Sequence, residues 1–146
     1  MVAIVGKENF DDVLTGSTEG TPVVTFEFQG LSGNDTLRSS AGNDTLDGGP
    51  GEDVLVANGG NDDLTGGPDS DRDEFAFGPN DGNDIINDFT ADDQIVLLGG
   101  SADAIAGLLD DIGQSDAGAI VKYGSTNITL VGVDPSEVSA DWFTTA

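Results

Sequence analysis

The chain contains no cysteine and no histidine among its 146 residues. A zinc site of the usual type draws its ligands from these residue types, and a Ser-His or Cys-His nucleophile needs the histidine, so both chemistries are excluded. Disulfide bonds are excluded as well. The lack of cysteine fits an extracellular protein that is stabilised in another way, and it fits a cytoplasmic protein equally well.

Positive charge is scarce, since only Lys7, Arg38, Arg72 and Lys122 oppose 28 acidic residues, for a formal net charge of −24. Nucleic acid and anionic membrane surfaces would be repelled, so we expect no nucleic-acid partner. The longest apolar run, residues 95–98, is far shorter than the roughly 20 residues of a membrane-spanning helix. No membrane span is therefore expected.

The balance of charge and apolar residues points to bound cations. Only 36% of the residues are hydrophobic, and a compact state at −24 is opposed by its own repulsion. We therefore expect metal ions to supply part of the stability. The competing interpretation is an acidic disordered chain, but disorder does not require residues to recur in phase.

Residues 33–64 do recur in phase, with a period of nine: residues 33–37, 42–46, 51–55 and 60–64 each run from glycine through an acidic residue to leucine. Nine is not a multiple of the helical turn, so the pattern indicates a coil that winds on itself. With two nonapeptides per winding, Asp35 stacks on Asp53 and Asp44 on Asp62, roughly 4.8 Å apart. Carboxylates at that separation repel each other unless a cation lies between them.

Each unit divides into a short strand and a turn. The D-x-L segment predicts a strand whose leucine points inward, and the six preceding residues form a turn that exposes main-chain carbonyls. Carboxylate and carbonyl oxygens without nitrogen or sulfur ligands suit a hard cation, and the flexible cage favours calcium over magnesium. The predicted site is therefore a calcium site.

The best single unit, residues 48–56 (GGPGEDVLV), resembles the RTX (repeats-in-toxin) nonapeptide G-G-x-G-x-D-x-U-x. The resemblance implies an all-β protein, a right-handed parallel β-roll built as a nonapeptide solenoid, with calcium in rows along its two edges. Other units depart from the pattern, with Ser39, Ser40 and Ala41 in the second and Ala57 and Asn58 in the fourth. Because the carbonyl ligands are main-chain atoms, these departures are expected to weaken turn geometry more than ligand identity.

The fifth unit allows two alignments. Strict nine-residue counting makes Asp71 the ligand, whereas a two-residue insertion makes Asp73 the ligand and Phe75 the buried residue. We favour the insertion, because Phe75 and Phe77 then continue the inward alternation. Stacked pairs are thus expected at Asp35/Asp53, Asp44/Asp62 and Asp53/Asp73.

Residues 75–98 also resemble the segment that follows the last repeats in RTX proteins, which often adds calcium ligands. The resemblance makes Asp81, Asp84 and Asp88 further candidates, with solvated turn acids as the alternative. About three to five ions are expected in all. The complete set of candidate metal-binding residues is Gly33, Asp35, Gly42, Asp44, Gly51, Asp53, Gly60, Asp62, Asp71, Asp73, Asp81, Asp84 and Asp88.

The flanking segments complete a three-part organisation. Residues 1–30 are expected to be an N-terminal cap with an imperfect repeat at 11–16 and a strand at 23–28, and residues 31–98 the roll with its flanking strands. Residues 99–146 are expected to form a small C-terminal lobe, with a short helix at 101–112 and a hairpin of strands 119–123 and 128–133. This lobe resembles the C-terminus of exported RTX proteins, which carries an uncleaved export signal. Trp142 and Phe143 are then either core aromatics or part of that signal.

Two other motifs are set aside. Residues 69–73 imitate the start of an EF-hand loop, but Glu74 and Asn80 stand where that loop needs glycine and glutamate. Asp92 and Asp93 are paired acids of the kind used in glycoside hydrolysis, but no pattern suggests a cleft. No catalytic residue is assigned, and we expect no enzyme activity.

The functional hypothesis is calcium binding that drives folding of a secreted bacterial protein after its export. Its expected partners are calcium ions and the bacterial export machinery, and its expected location is extracellular. The alternative is a carbohydrate-binding accessory module of a secreted polysaccharide-modifying enzyme, because modules of alginate epimerases resemble this architecture. A polysaccharide or a neighbouring catalytic domain would then be a further partner.

Overall fold

Short strands follow one another along most of the chain in the computed structural model, which describes residues 1–7, 10–16 and 24–146. One helix, α1 (Ala102–Leu109), interrupts them, and two 3₁₀ turns lie at Pro135–Glu137 and Ala140–Trp142. No helix in these ranges is long and apolar enough to cross a membrane. The strands are β1 (Val2–Val5), β2 (Val13–Thr15), β3 (Phe26–Gln29), β4 (Thr36–Arg38), β5 (Thr45–Asp47), β6 (Val54–Val56), β7 (Asp63–Thr65), β8 (Glu74–Phe77), β9 (Asn83–Ile86), β10 (Gln94–Leu97), β11 (Gly113–Gln114), β12 (Gly118–Tyr123), β13 (Thr126–Val131) and β14 (Phe143–Thr145).

Successive strands alternate between two sheets, which makes the chain a parallel β-solenoid. The first sheet has the order β1-β3-β5-β7-β9-β13-β12-β11, and the second has the order β14-β10-β8-β6-β4-β2. In the repeats, Thr36 pairs with Val54 in the second sheet and Thr45 with Asp63 in the first, both parallel. Two nonapeptides therefore make one winding, as the period predicts.

The core consists of two columns of inward side chains that face each other. In the second sheet, Leu37, Leu55, Phe75, Ile95 and Phe143 stack in register from one strand to the next. All of them are buried, because alternate residues of a strand point to opposite faces and only the inner face is dry. The matching column of the first sheet is Phe28, Leu46, Leu64, Ile86 and Leu130.

The N-terminal strands belong to these same sheets. The imperfect repeat at residues 11–16 forms β2, which pairs in parallel with β4. The expected strand at 23–28 is found as β3, with Val23 outside the described residues, and β3 lies between β1 and β5. Strands β1 and β2 are thus the outermost strands at the N-terminal end.

The C-terminal segment closes both sheets at the other end. Helix α1 is shorter than the predicted 101–112, and Ser101 caps it by accepting the Ala104 N–H at 3.3 Å. The predicted hairpin is present as β12 and β13, and β13 pairs in parallel with β9. Strand β14 likewise pairs with β10. Trp142 is half-buried against the ring of Phe89, with a centroid distance of 5.2 Å, so it packs as a core aromatic.

Candidate metal-binding edges of the roll

Two rows of aspartates run along the turns that connect the sheets. The first edge carries the aspartates that precede the strands of the second sheet: Asp12, Asp35, Asp53, Asp73 and Asp93. The second edge carries the equivalent residues of the first sheet: Asp44, Asp62 and Asp84.

On the first edge, each aspartate is bonded to the main chain of the winding before it. The Oδ1 atom of Asp35 accepts the N–H of Asp12, and that of Asp53 accepts the N–H of Asp35, both at 2.7 Å. The series continues with Asp73 accepting from Asp53 at 2.9 Å and Asp93 from Asp73 at 3.1 Å. One oxygen of each carboxylate is therefore committed to the protein.

The second edge repeats this bond. Asp44 accepts the N–H of Phe26 at 2.7 Å, Asp62 accepts that of Asp44 at 2.7 Å, and Asp84 accepts that of Asp62 at 2.9 Å. All three predicted stacked pairs, Asp35/Asp53, Asp44/Asp62 and Asp53/Asp73, are thus brought together by direct hydrogen bonds.

The aspartates of the two rows differ in the hydrogen bonding of their second carboxylate oxygen. In Asp35, Asp53 and Asp84 the Oδ2 atom is buried and has no hydrogen-bond partner among the described residues. Each of these side chains is only 1% exposed. Burying a charged oxygen without a donor costs several kcal/mol (about 2–7 for a polar group and more for an ion), so these atoms require a cation or a proton.

The pKa values reflect this burial. Desolvation raises the pKa of Asp53 and Asp73 to about 7, of Asp62 to about 8 and of Asp84 to about 6, against 3.8 ordinarily. Hydrogen bonds from the main chain pull in the opposite direction, and neighbouring aspartates raise the values further. Negative charge is therefore poorly stabilised here in the absence of a counterion.

Glycines let the main chain approach the aspartates of the first edge. The Oδ2 atoms of Asp35, Asp53 and Asp73 lie so close to Gly30, Gly48 and Gly66, respectively, that a Cβ on these glycines would collide with them. The carbonyl oxygen of Gly48 approaches the same position at Gly30, and that of Gly66 approaches it at Gly48. The positions beside Gly30 and Gly48, here called cradles, are therefore each lined by a carboxylate and a main-chain carbonyl, and the cradle beside Gly66 is lined by the carboxylate of Asp73.

This donor set fits calcium. In the part of the chain that the structure describes, no three acidic side chains are placed to hold a metal ion together, so a site here needs other oxygen ligands, such as the main-chain carbonyls. A hard cation with six to eight oxygen ligands at about 2.3–2.6 Å accepts that mixture. Aspartates with one free, buried oxygen beside glycine carbonyls meet this requirement.

The glycines predicted as ligands, Gly33, Gly42, Gly51 and Gly60, differ from those of the cradles and stack between windings. The carbonyls of Gly33, Gly42 and Gly60 point at the Cα of Gly51, Gly60 and Gly82, respectively, where a Cβ would collide with them. Close approach of main chains thus demands glycine there, and a ligand role for these carbonyls stays a prediction.

The three remaining candidates lie in different surroundings. Asp71 is exposed in the turn outside the row, because the two-residue insertion brings Asp73 under Asp53 and buries Phe75. Asp81 is half-buried next to Asp84 and accepts the Gly78 N–H, and burial raises its pKa. Both carboxylate oxygens of Asp88 accept hydrogen bonds, from the N–H groups of Gly66 and Gly67 at 3.0 Å each.

Asp12 and Asp93 are members of the first edge that sequence reasoning did not select. Asp93 follows Asp73 by the same 20 residues that separate Asp73 from Asp53, and Ile95 occupies the buried position after it. That spacing was the available signal, but no glycine turn accompanies it. Asp12 precedes Asp35 by 23 residues, which breaks the period.

Comparison with known proteins agrees with the geometry. The model of the RTX calcium-binding nonapeptide repeat (4 copies) matches residues 29–64 and 39–72. No curated protein sequence matches the chain. Among solved structures, the crystal structure of the extracellular lipase LipA from Serratia marcescens aligns with 99% of the chain at 27% identity and a TM-score of 0.47. The chain spans 21% of that lipase. Residues 29–72 thus match the RTX calcium-binding repeat, and they are wound here as a parallel β-roll.

Proposed function

We propose that this chain is a calcium-responsive folding module of an exported bacterial protein. The observation that carries the proposal is the set of buried Oδ2 atoms on Asp35, Asp53 and Asp84 that no protein donor satisfies. Where these carboxylates are ionised, the fold can be completed only when cations reach these atoms. Its role is structural rather than catalytic.

The concentration of calcium sets the state of the module. Extracellular calcium modules bind with Kd values of about 10⁻⁴ to 10⁻³ M, so the sites are empty at the submicromolar levels of a cytosol. With the sites empty, the charge of −24 opposes the compact state. Such an unfolded chain suits passage through the export machinery.

Outside the cell, millimolar calcium reverses the balance. A site filled at ten times its Kd contributes about 1.4 kcal/mol. Several coupled sites therefore shift folding by around 5 kcal/mol, which is comparable to the whole stability of a small domain. We assign about three to five ions, with Asp35, Asp53 and Asp73 on the first edge and Asp84 on the second as their main carboxylate ligands.

The proposal extends to a three-part organisation of the chain. Residues 31–98 are the calcium-dependent part, residues 1–30 cap it, and residues 99–146 close the roll and hold the export signal. The expected location is therefore extracellular.

Circular dichroism during a calcium titration, with magnesium as the control, tests the proposal. We expect a change from disordered to β-rich with calcium only. Asp53→Ala should raise the calcium midpoint more than any other single aspartate change, because Asp53 bonds to both Asp35 and Asp73. A metal-free protein that is already fully folded at neutral pH would overturn the proposal.

No observation favours the carbohydrate-binding alternative. An aromatic or basic stripe on one face of the roll would support it. The outward positions of the described repeat strands instead carry threonine, valine and acidic residues with a single arginine, Arg38.

A further inference from the structure

The two edges differ at the position that forms the cradle. Counting five residues back from each aspartate, the first edge has Gly30 before Asp35 and Gly48 before Asp53. The second edge has Ser39 before Asp44 and Ala57 before Asp62. The second edge therefore has a Cβ at the position where, on the first edge, an aspartate Oδ2 and a main-chain carbonyl lie too close to the glycine for any side chain.

Ser39 does more than occupy volume. Its hydroxyl donates to the carbonyl of Ala57, the residue one winding further on. On the first edge, the equivalent carbonyl is that of Gly66, which faces the cradle at Gly48. The Ser39 Oγ also lies 3.5 Å from Asp62 Oδ2. A hydroxyl thus stands among the oxygens that would otherwise surround an ion.

The carboxylate of this winding is satisfied by the protein. Asp44 Oδ2 accepts the N–H of Ser40 at 3.0 Å, while its Oδ1 accepts that of Phe26 at 2.7 Å. Both oxygens of this buried side chain therefore have protein donors. This contrasts with Asp35 and Asp53, whose Oδ2 atoms have none.

At the two ends of the first edge, protein donors likewise take the place of an ion. Asp12 Oδ2 accepts the N–H of Lys7 at 2.5 Å. Asp93 Oδ2 accepts the N–H of Thr90 at 2.7 Å and its hydroxyl at 3.1 Å. Protein donors thus end the row, and the free oxygens lie in the interior windings.

We propose that the Asp44–Asp62 step of the second edge carries no calcium, because the Ser39 side chain occupies its cradle and replaces the ion with hydrogen bonds. The ions then concentrate on the interior of the first edge, at Asp35, Asp53 and Asp73, and near Asp84. This inference rests on the proposed calcium sites and decides which of the equivalent steps hold them.

A reciprocal exchange of serine and glycine tests the inference. The number of calcium ions per chain is measured by native mass spectrometry at saturating calcium and checked by isothermal titration calorimetry. We expect Ser39→Gly to bind one ion more than the unmodified protein, since it removes the side chain that fills the cradle beside Asp44. Gly48→Ser should bind one ion fewer, because its side chain would collide with Asp53 Oδ2 and the Gly66 carbonyl.

Ser39→Ala is the matched control. It removes the hydroxyl but keeps the Cβ, so its ion count should equal that of the unmodified protein while its melting temperature falls. Equal counts for Ser39→Gly and the unmodified protein would overturn the inference, whatever Gly48→Ser does and even if Gly48→Ser fails to fold. The proposed folding switch fails on a different result, a metal-free protein that is already folded, and the ion count remains interpretable in that case.

Discussion

The first and second edges of the roll are built from the same nonapeptide but satisfy their aspartates differently. On the first edge, glycine turns leave Asp35 and Asp53 each with a buried oxygen that has no hydrogen-bond partner among the described residues. On the second edge, main-chain N–H groups donate to both oxygens of Asp44, and the Ser39 hydroxyl lies 3.5 Å from Asp62 Oδ2. A repeat can therefore keep its winding geometry while it exchanges an ion for hydrogen bonds.

Asparagines sharpen this contrast. On the second edge, Asn43 accepts the N–H of Asn61 and Asn61 that of Asn83, both at 3.0 Å, and Asn83 accepts the side-chain amide of Asn127 at 2.8 Å. On the first edge, Asn34 accepts the N–H of Glu52 at 3.2 Å, and the glutamate does not continue the series. The second edge thus relies more on neutral contacts within the protein.

The largest expected effect is that of pH on the calcium-stripped protein. A carboxyl group whose pKa is raised in the fold stabilises the fold below its unfolded pKa, and this contribution is lost as the pH rises through the folded pKa. Burial raises the pKa of Asp53 and Asp73 to about 7 and that of Asp62 to about 8. Without calcium, β-structure seen by circular dichroism should therefore be greater at pH 5.5 than at pH 8.5.

The edges can be separated in this experiment by Asp62→Asn. This substitution removes the group with the highest of these values, so the variant should retain more structure between about pH 7 and 8.5 than the unmodified protein. A calcium-stripped protein that gains structure as the pH rises would contradict both expectations.

The next largest effect concerns the core that the edges share. Leu46 and Leu55 are fully buried in opposite sheets, and each is paired with its counterparts in the adjacent windings. Replacing either by alanine should lower the free energy of unfolding by about 2–5 kcal/mol in saturating calcium. Guanidinium unfolding would measure the loss of free energy of unfolding for each variant. Similar losses would show that the difference between the edges lies in their turns. A cost confined to one leucine would show that the sheets themselves are unequal.

The smallest effect is expected at the asparagines. Asn61→Ala removes acceptors for the N–H and the side chain of Asn83, whereas Asn34→Ala removes one long bond to Glu52. These bonds are exposed, so we expect a loss of about 1 kcal/mol or less for Asn61→Ala and a smaller loss for Asn34→Ala. Thermal melts with and without calcium provide the measurement. A loss for Asn61→Ala that appears only with calcium would argue against a neutral role.

Much of the winding could be predicted from the sequence because a strict period fixes the register. The 18-residue pairing, the inward leucines and the insertion that places Asp73 under Asp53 all follow from phase and alternation. The family match and the sheet order confirm the repeats and the β-roll.

The difference between the edges could not be predicted in the same way. Ser39 and Ala57 were expected to affect turn geometry more than ligand identity, whereas the structure gives the Ser39 hydroxyl partners one winding further along the edge. That contact depends on where a side chain points in space, which periodicity does not specify. The pairing of β14 with β10 was missed for a related reason, since it joins segments with no shared repeat.

That last pairing has a consequence for the order in which the molecule assembles. Within the repeats, a new strand needs only the stretch from Thr36 to Val54 to find its neighbour, whereas joining Ile95 to Phe143 closes a much longer segment. The entropic cost of closing a loop grows with its length, so local windings should nucleate and the distant strand should dock afterwards. Assembly would then add one winding after another, and the final strand would come from a part of the chain that is remote in sequence.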